Sequence, residues 1–164
     1  MTYRGSYLWR LRQTVGSDLV LMLGAMVAVQ RADGRLLFTR RGDDETWCWP
    51  AGAAEQGGSF ADTAIDELAE ETGLTVARAD LIPFGCLSEA EAHTIRYPNG
   101  DVTHCFAICF LARAWQGDLR PDGEEATAAG FFDLAKPPEP LHAPTIHALG
   151  LLEAFLDSGS LQSR

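Results

Sequence analysis

Positive charge is scarce in this chain. Its 164 residues include 13 lysines and arginines against 23 aspartates and glutamates, for a net charge of −10. Extended nucleic-acid contact rests on Lys and Arg neutralising phosphates, so no nucleic-acid partner is expected. Long apolar runs are also missing. None reaches the roughly 20 residues that a membrane-crossing helix needs, so no membrane role is expected. The N-terminal stretch carries Tyr3, Arg4, Arg10 and Arg12 but neither a signal-type apolar segment nor a cleavage site, which makes the cytoplasm the expected location. The cysteines Cys48, Cys86, Cys105 and Cys109 form no Cys-x-x-Cys pair, and the histidines show no zinc spacing. Cys105 and Cys109 read as small buried hydrophobes on one strand face. No internal repeat or low-complexity segment stands out.

What is present is ordinary for a globular protein: 46% apolar and 22% charged residues. The length suits one domain over residues 1–164 with a real core. Residues 3 to 15 read as an amphipathic helix, with Leu8, Leu11 and Val15 on one side. Leu19 to Gln30 reads as a buried strand. Ala32-Asp33-Gly34 is a turn, and Leu36 to Thr39 is the return strand. A loop spans 42 to 58, and a helix follows at about 60 to 72. Another strand lies near 81 to 87. Thr94 to Tyr97 and Val102 to Ala112 form a hairpin across Pro98-Asn99-Gly100. Ala128 to Phe132 is a further strand, and a terminal helix runs over 145 to 156 after Pro137, Pro138 and Pro140. Strands interrupted by a central and a terminal helix predict an α/β layered fold.

The chemistry concentrates in residues 52–74. Glu67, Glu70 and Glu71 sit at i, i+3 and i+4, so a helix places all three carboxylates on one face. Three like charges there repel, and a divalent cation relieves the repulsion. Hard oxygen ligands suit Mg²⁺ or Mn²⁺. Chance would produce Glu-x-x-Glu-Glu-x-Gly in on the order of 10⁻³ of chains this long. The flanks add structure to it. Ser59 is a helix N-cap with Asp62 three residues later, Ala64, Ile65 and Leu68 form an apolar stripe, and Gly73 suits a left-handed stop.

These residues resemble the Nudix box, G-x5-E-x7-R-E-U-x-E-E-x-G-U with U aliphatic. Gly52, Glu67, Leu68, Glu70, Glu71, Gly73 and Leu74 match at intact spacing. Gly58 stands where the box has its first glutamate, and Asp66 where it has its arginine. In the family those two commonly form an ion pair, and losing both leaves no orphaned charge. The wider pattern, including Arg40-Arg41, Tyr97-Pro-Asn-Gly-Asp and Glu124-Glu125 ahead of Phe131-Phe132, looks like ADP-ribose pyrophosphatase-like or MutT-like members.

The resemblance implies a Nudix α/β/α sandwich with a mixed sheet between helices. It implies hydrolysis of a pyrophosphate bond in a small-molecule nucleoside diphosphate derivative, of ADP-ribose or sugar-nucleotide type, supported by Mg²⁺ or Mn²⁺. Glu67, Glu70, Glu71 and the Gly52 carbonyl are the expected metal ligands. Glu70 is the general-base candidate on the helix; Glu124 and Glu125 are the loop candidates, with Glu125 preferred. One of Arg40 and Arg41 is expected on a substrate phosphate, with strand alternation sending them to opposite faces. Trp47 or Trp49 is a stacking candidate, set against packing of the loop onto the core. A homodimer is reasonable by analogy. The competing reading is a nucleotide-binding or regulatory module weakened by Gly58 and Asp66, but such a module has no physical need for three glutamates on one face.

Overall fold

In the computed structural model, residues 4–97 and 99–164 are described. Tyr3, at the start of the expected first helix, and Pro98, in the expected hairpin turn, lie outside them. The first helix, α1, spans Tyr7–Val15. It starts later than its apolar spacing suggests because Ser6 caps it, its side chain accepting from the Trp9 N–H at 3.1 Å. Strand β1 (Val20–Val29) follows, then β2 (Leu36–Arg41). The loop expected over 42 to 58 contains two short strands, β3 (Trp47–Cys48) and β4 (Ala51–Ala53). Helix α2 (Phe60–Thr72) carries the acidic motif. Then come β5 (Leu81–Leu87), the short α3 (Ala90–His93), β6 (Thr94–Arg96), β7 (Val102–Ala112), β8 (Ala126–Phe132), α4 (Ala143–Ser158) and β9 (Gln162–Ser163).

Two sheets form. One runs β4-β1-β7-β5-β9 with β6 beside β7; the other runs β3-β2-β8. The first is mixed: β1 pairs parallel with β7 from Val20↔Thr103 to Val29↔Ala112, while β4 and β5 add antiparallel. The expected return strand therefore does not stay beside β1. Past a lone bridge between Gln30 and Leu36, β2 joins the second sheet.

Helices cover both faces of the larger sheet. On one, α4 packs Ala148, Leu149, Leu151 and Leu152 against Met26, Ala28, Phe84 and Leu111. On the other, α2 packs Ala64 and Leu68 against Ala25, Val27, Val29 and Phe110. Double burial explains the unbroken apolar stretch from Ala25 to Val29. The first half of the run departs from the expected buried strand. Leu19, Leu21 and Leu23 are 58%, 62% and 58% exposed, because neither core cluster reaches them. Cys105 and Cys109 are buried and unpaired, as their spacing predicts. Among the described residues no helix is long and apolar enough to cross a membrane.

Helix α1 is fastened to the sheet by a buried arginine. Arg12 Nη1 donates to the Gly16 and Asp18 carbonyls, Nη2 to the Val102 carbonyl and Thr103 Oγ1, and Nε faces Asp101 at 3.6 Å. A guanidinium this enclosed is tolerated only because its donors are matched. Arg12→Met keeps the aliphatic stem and removes the fork. It is expected to cost about 3 kcal/mol, read as a lower urea midpoint; a midpoint equal to the wild type would show that the fork carries no stability.

Candidate active site

Helix α2 is set by its ends. The Ser59 side chain accepts from the Asp62 N–H, Asp62 accepts from the Ser59 N–H, and Gly73 closes the helix at φ 72° with its N–H on the Ala69 carbonyl. Arg78 reinforces the start by donating to Ser59 Oγ and to Asp62. This fixed helix turns Leu68 into the core and Glu67 and Glu71 toward β4 and β2.

Glu71 is only 7% exposed. One carboxylate oxygen accepts from the Ala51 N–H at 3.1 Å, the other from Thr39 Oγ1 at 3.0 Å. Burial pushes its pKa up to about 8, the two hydrogen bonds oppose the rise, and Glu67 and Glu125 add to it. Glu67 is half-buried and pushed up to about 7, by burial first and by the charge of Glu125 second. It lies directly over Gly52: a Cβ at that position would fall 1.9 Å from Glu67 Oε1. A second glycine serves the same spot, since a Cβ on Gly24 would come within 2.5 Å of the Gly52 carbonyl oxygen.

These groups border a cavity of about 450 Å³. Gly52, Glu67, Glu71, Arg41, Glu124 and Glu125 all line it. The Glu124-Glu125 loop reaches it because the Gly42 N–H donates to the Glu125 carbonyl at 3.0 Å. Burial, then Asp122, raises the Glu125 carboxyl. Arg41 is gripped by Asp43 through Nε at 2.9 Å and Nη2 at 2.5 Å. Burial alone would lower its pKa, but its carboxylate partners raise it, so it stays charged.

Three of the sequence candidates do not border the cavity. Glu70 is exposed to solvent on α2. Arg40, across a β-bulge from Arg41, donates to Glu45 Oε2 at 3.0 Å. Trp47 packs edge-on against Phe132 with ring centroids 5.2 Å apart. Trp49 is fully buried against Phe38 and Phe84.

The cavity wall also contains residues that spacing did not reveal: His93 from α3, His142 before α4, and Pro144 and Thr145 in its first turn. Burial first, with nearby Arg41 second, holds His142 down to about 4. Burial likewise holds His93 down to about 4, against the pull of the Leu87 and Cys105 backbones. Three shielded polar atoms in this wall have no hydrogen-bond partner among the described residues: Trp49 Nε1, His93 Nδ1 and Thr145 Oγ1. Native interiors rarely leave such atoms unpaired. No local sequence signal marks His93 and Thr145, since α3 and α4 bring them to the cavity from distant positions.

Among the described residues no three His, Cys, Asp or Glu side chains form a ready-made metal cluster. The chemistry of the converging donors nonetheless suits a hard cation. Two carboxylates whose ionisation burial opposes border one cavity with Gly52, which leaves room for phosphate oxygens and water.

The comparisons with known proteins agree with this architecture. A family model described as NUDIX domain matches residues 20–149. A MutT NUDIX hydrolase from Burkholderia pseudomallei shares 26% identity and a TM-score of 0.69, covering 81% of this chain and 98% of that one. An ADP-ribose pyrophosphatase from Streptococcus suis shares 22% identity and a TM-score of 0.65, over 87% of this chain and 97% of that one. A UDP-X diphosphatase shares 16% identity and a TM-score of 0.65, over 95% of this chain and 72% of that one. No curated protein matches the sequence. The chain belongs to the Nudix family. Its class is that of the Nudix pyrophosphohydrolases.

The raised carboxyls have a consequence for stability. Glu67 and Glu71 keep protons in the folded state that the unfolded chain releases above about pH 4.5. Their stabilising contribution is complete below that pH and is lost as pH rises through about 7 and 8. His93 and His142 act in the opposite sense, but only below their ordinary value of 6.5. Without divalent cations, the melting temperature is therefore expected to fall between about pH 6.5 and 8. Mg²⁺ is expected to restore it by an amount that grows with pH. Thermal melts across that range, in chelator and in Mg²⁺, check this; a Mg²⁺ effect that shrinks as pH rises would contradict it.

Proposed function

We propose that this protein hydrolyses the pyrophosphate bond of a nucleoside diphosphate joined to a second group, as in ADP-ribose or a nucleotide sugar, with Mg²⁺ or Mn²⁺ bound. The observation that carries this reading is the convergence of Glu67, Glu71 and Gly52, with Arg41 and Glu125, on the lining of one cavity. Glu67, Glu71 and the Gly52 carbonyl would hold the cation, together with Glu70 on the same helix. The cation, when bound, neutralises phosphate charge and makes a coordinated water more acidic. We read the chain as one domain, since α1 and α4 extend beyond the matched segment and both pack onto the sheet.

The protein's own residues divide the remaining work. Thr39 and the Ala51 N–H fix the Glu71 carboxylate so that both oxygens keep their direction. Glu125 is the general base that takes the proton of the attacking water, its raised pKa bringing it nearer neutrality. Arg41, shared with Asp43, offers the positive charge nearest the phosphates.

The test is phosphate release from a panel of nucleoside diphosphate derivatives, in Mg²⁺ or Mn²⁺ and in chelator. Cation-dependent cleavage of a diphosphate-linked substrate is expected; no cleavage of any compound under either cation would overturn the reading.

A further inference from the structure

Helix α1 lies outside the matched segment, which begins at residue 20, yet it forms part of the cavity wall through Ser6, Leu8 and Arg12. Its N-terminus also grips the loop between β4 and α2. Glu55 Oε1 accepts from the Tyr7 N–H at 2.7 Å, and Oε2 lies 4.0 Å from Arg10 Nη2. A carboxylate at this end of a helix satisfies an otherwise unpartnered N–H and meets the positive end of the dipole.

Glu55 is well placed to transmit that grip. Its own carbonyl accepts from the Gly58 N–H at 3.1 Å, closing a turn through Gly57 at φ 87°. The neighbouring Ala54 N–H donates to the Leu23 carbonyl at 2.8 Å. Gly52 is three residues away, with Glu67 above it. The loop's glycines give it no intrinsic stiffness. The ion pair that the box arginine and first glutamate would form is missing, since those positions are Asp66 and Gly58. Meanwhile α1 is held at its other end by Arg12 on the Val102 carbonyl and Thr103. A continuous chain of contacts thus runs from β7 through Arg12 and α1 to Glu55 and the loop that follows Gly52.

We propose that α1 positions Gly52 and the loop that follows it for catalysis, with Glu55 as the positioning residue that couples them. The turnover part of this proposal rests on the pyrophosphohydrolase reading; the coupling itself does not. Glu55→Ala in the full chain is compared with wild type by steady-state kinetics and by amide hydrogen exchange. The expected result is a kcat lower by about tenfold with KM nearly unchanged. Glu55→Gln, which keeps an oxygen for the Tyr7 N–H, is expected to fall between the two. Exchange is expected to accelerate together in the first turn of α1 and across residues 53–58, whether or not a substrate has been found. An unchanged kcat, a loss confined to KM, or faster exchange in α1 alone would overturn the proposal.

Discussion

Glu71→Gln is expected to leave the protein folded and to lower turnover by on the order of 10³-fold, the scale of several kcal/mol of transition-state charge stabilisation. The fold survives because glutamine fits both existing partners. Its carbonyl oxygen accepts from the Ala51 N–H, and its amide donates to Thr39 Oγ1, which can accept as well as donate. What disappears is the charge that burial makes costly and that a cation makes useful. The variant is therefore expected to melt no lower than wild type at pH 8 in chelator, and to lose most of the stabilisation by Mg²⁺. Loss of function with retained or improved stability is the signature of a strained site. Near-normal turnover would remove Glu71 from the mechanism.

Gly52→Ala is the second large effect. One methyl group placed 1.9 Å from Glu67 Oε1 and 2.2 Å from its Cδ cannot coexist with the present carboxylate position. The side chain is flexible and can swing aside, so the global fold is expected to hold. The donor geometry at the cavity mouth is not. A loss of roughly 10²-fold in kcat/KM is expected, with weaker Mg²⁺ binding by titration calorimetry. Gly58→Ala is the matched control, because its Cβ would meet only the Glu55 carbonyl oxygen, at 3.3 Å, and the edge of Asp62. Equal behaviour of the two alanine variants would show that the close approach at Gly52 has no functional weight.

The parts of this molecule that were legible in the sequence are those determined locally. Helix α2 could be read to its ends, because Ser59, Asp62 and Gly73 act on their own turn and Ala64 and Leu68 repeat at helical spacing. Strand β5 stood out as a bounded apolar run. The two- and three-residue strands β3 and β4 could not be found in this way. They exist through pairing with β2 and β1, and Trp47–Cys48 has no periodicity of its own. The exposure of Leu21 and Leu23 was hidden for the same reason, since it depends on where α2 ends its coverage. At the site, the acidic cluster and Gly52 were visible as a motif. Thr39, Glu55, His93 and Thr145 were not, because each enters through a partner far away in the chain. Trp47, a stacking candidate by residue type, is instead engaged with Phe132, a contact made by the pairing of the second sheet.

The long parallel ladder between β1 and β7 has a bearing on how the molecule comes into being. Residues 20–29 wait for residues 103–112 before their central hydrogen bonds can close. Parallel strands cannot be joined by a tight turn, and contacts so distant along the chain close late. During synthesis, the acidic helix can therefore form well before the sheet that will carry it, and the β7-facing edge of β1 stays open until most of the polypeptide has emerged. Assembly of the cavity is a single late event, and an N-terminal fragment ending before β7 would hold the recognisable motif without the means to use it.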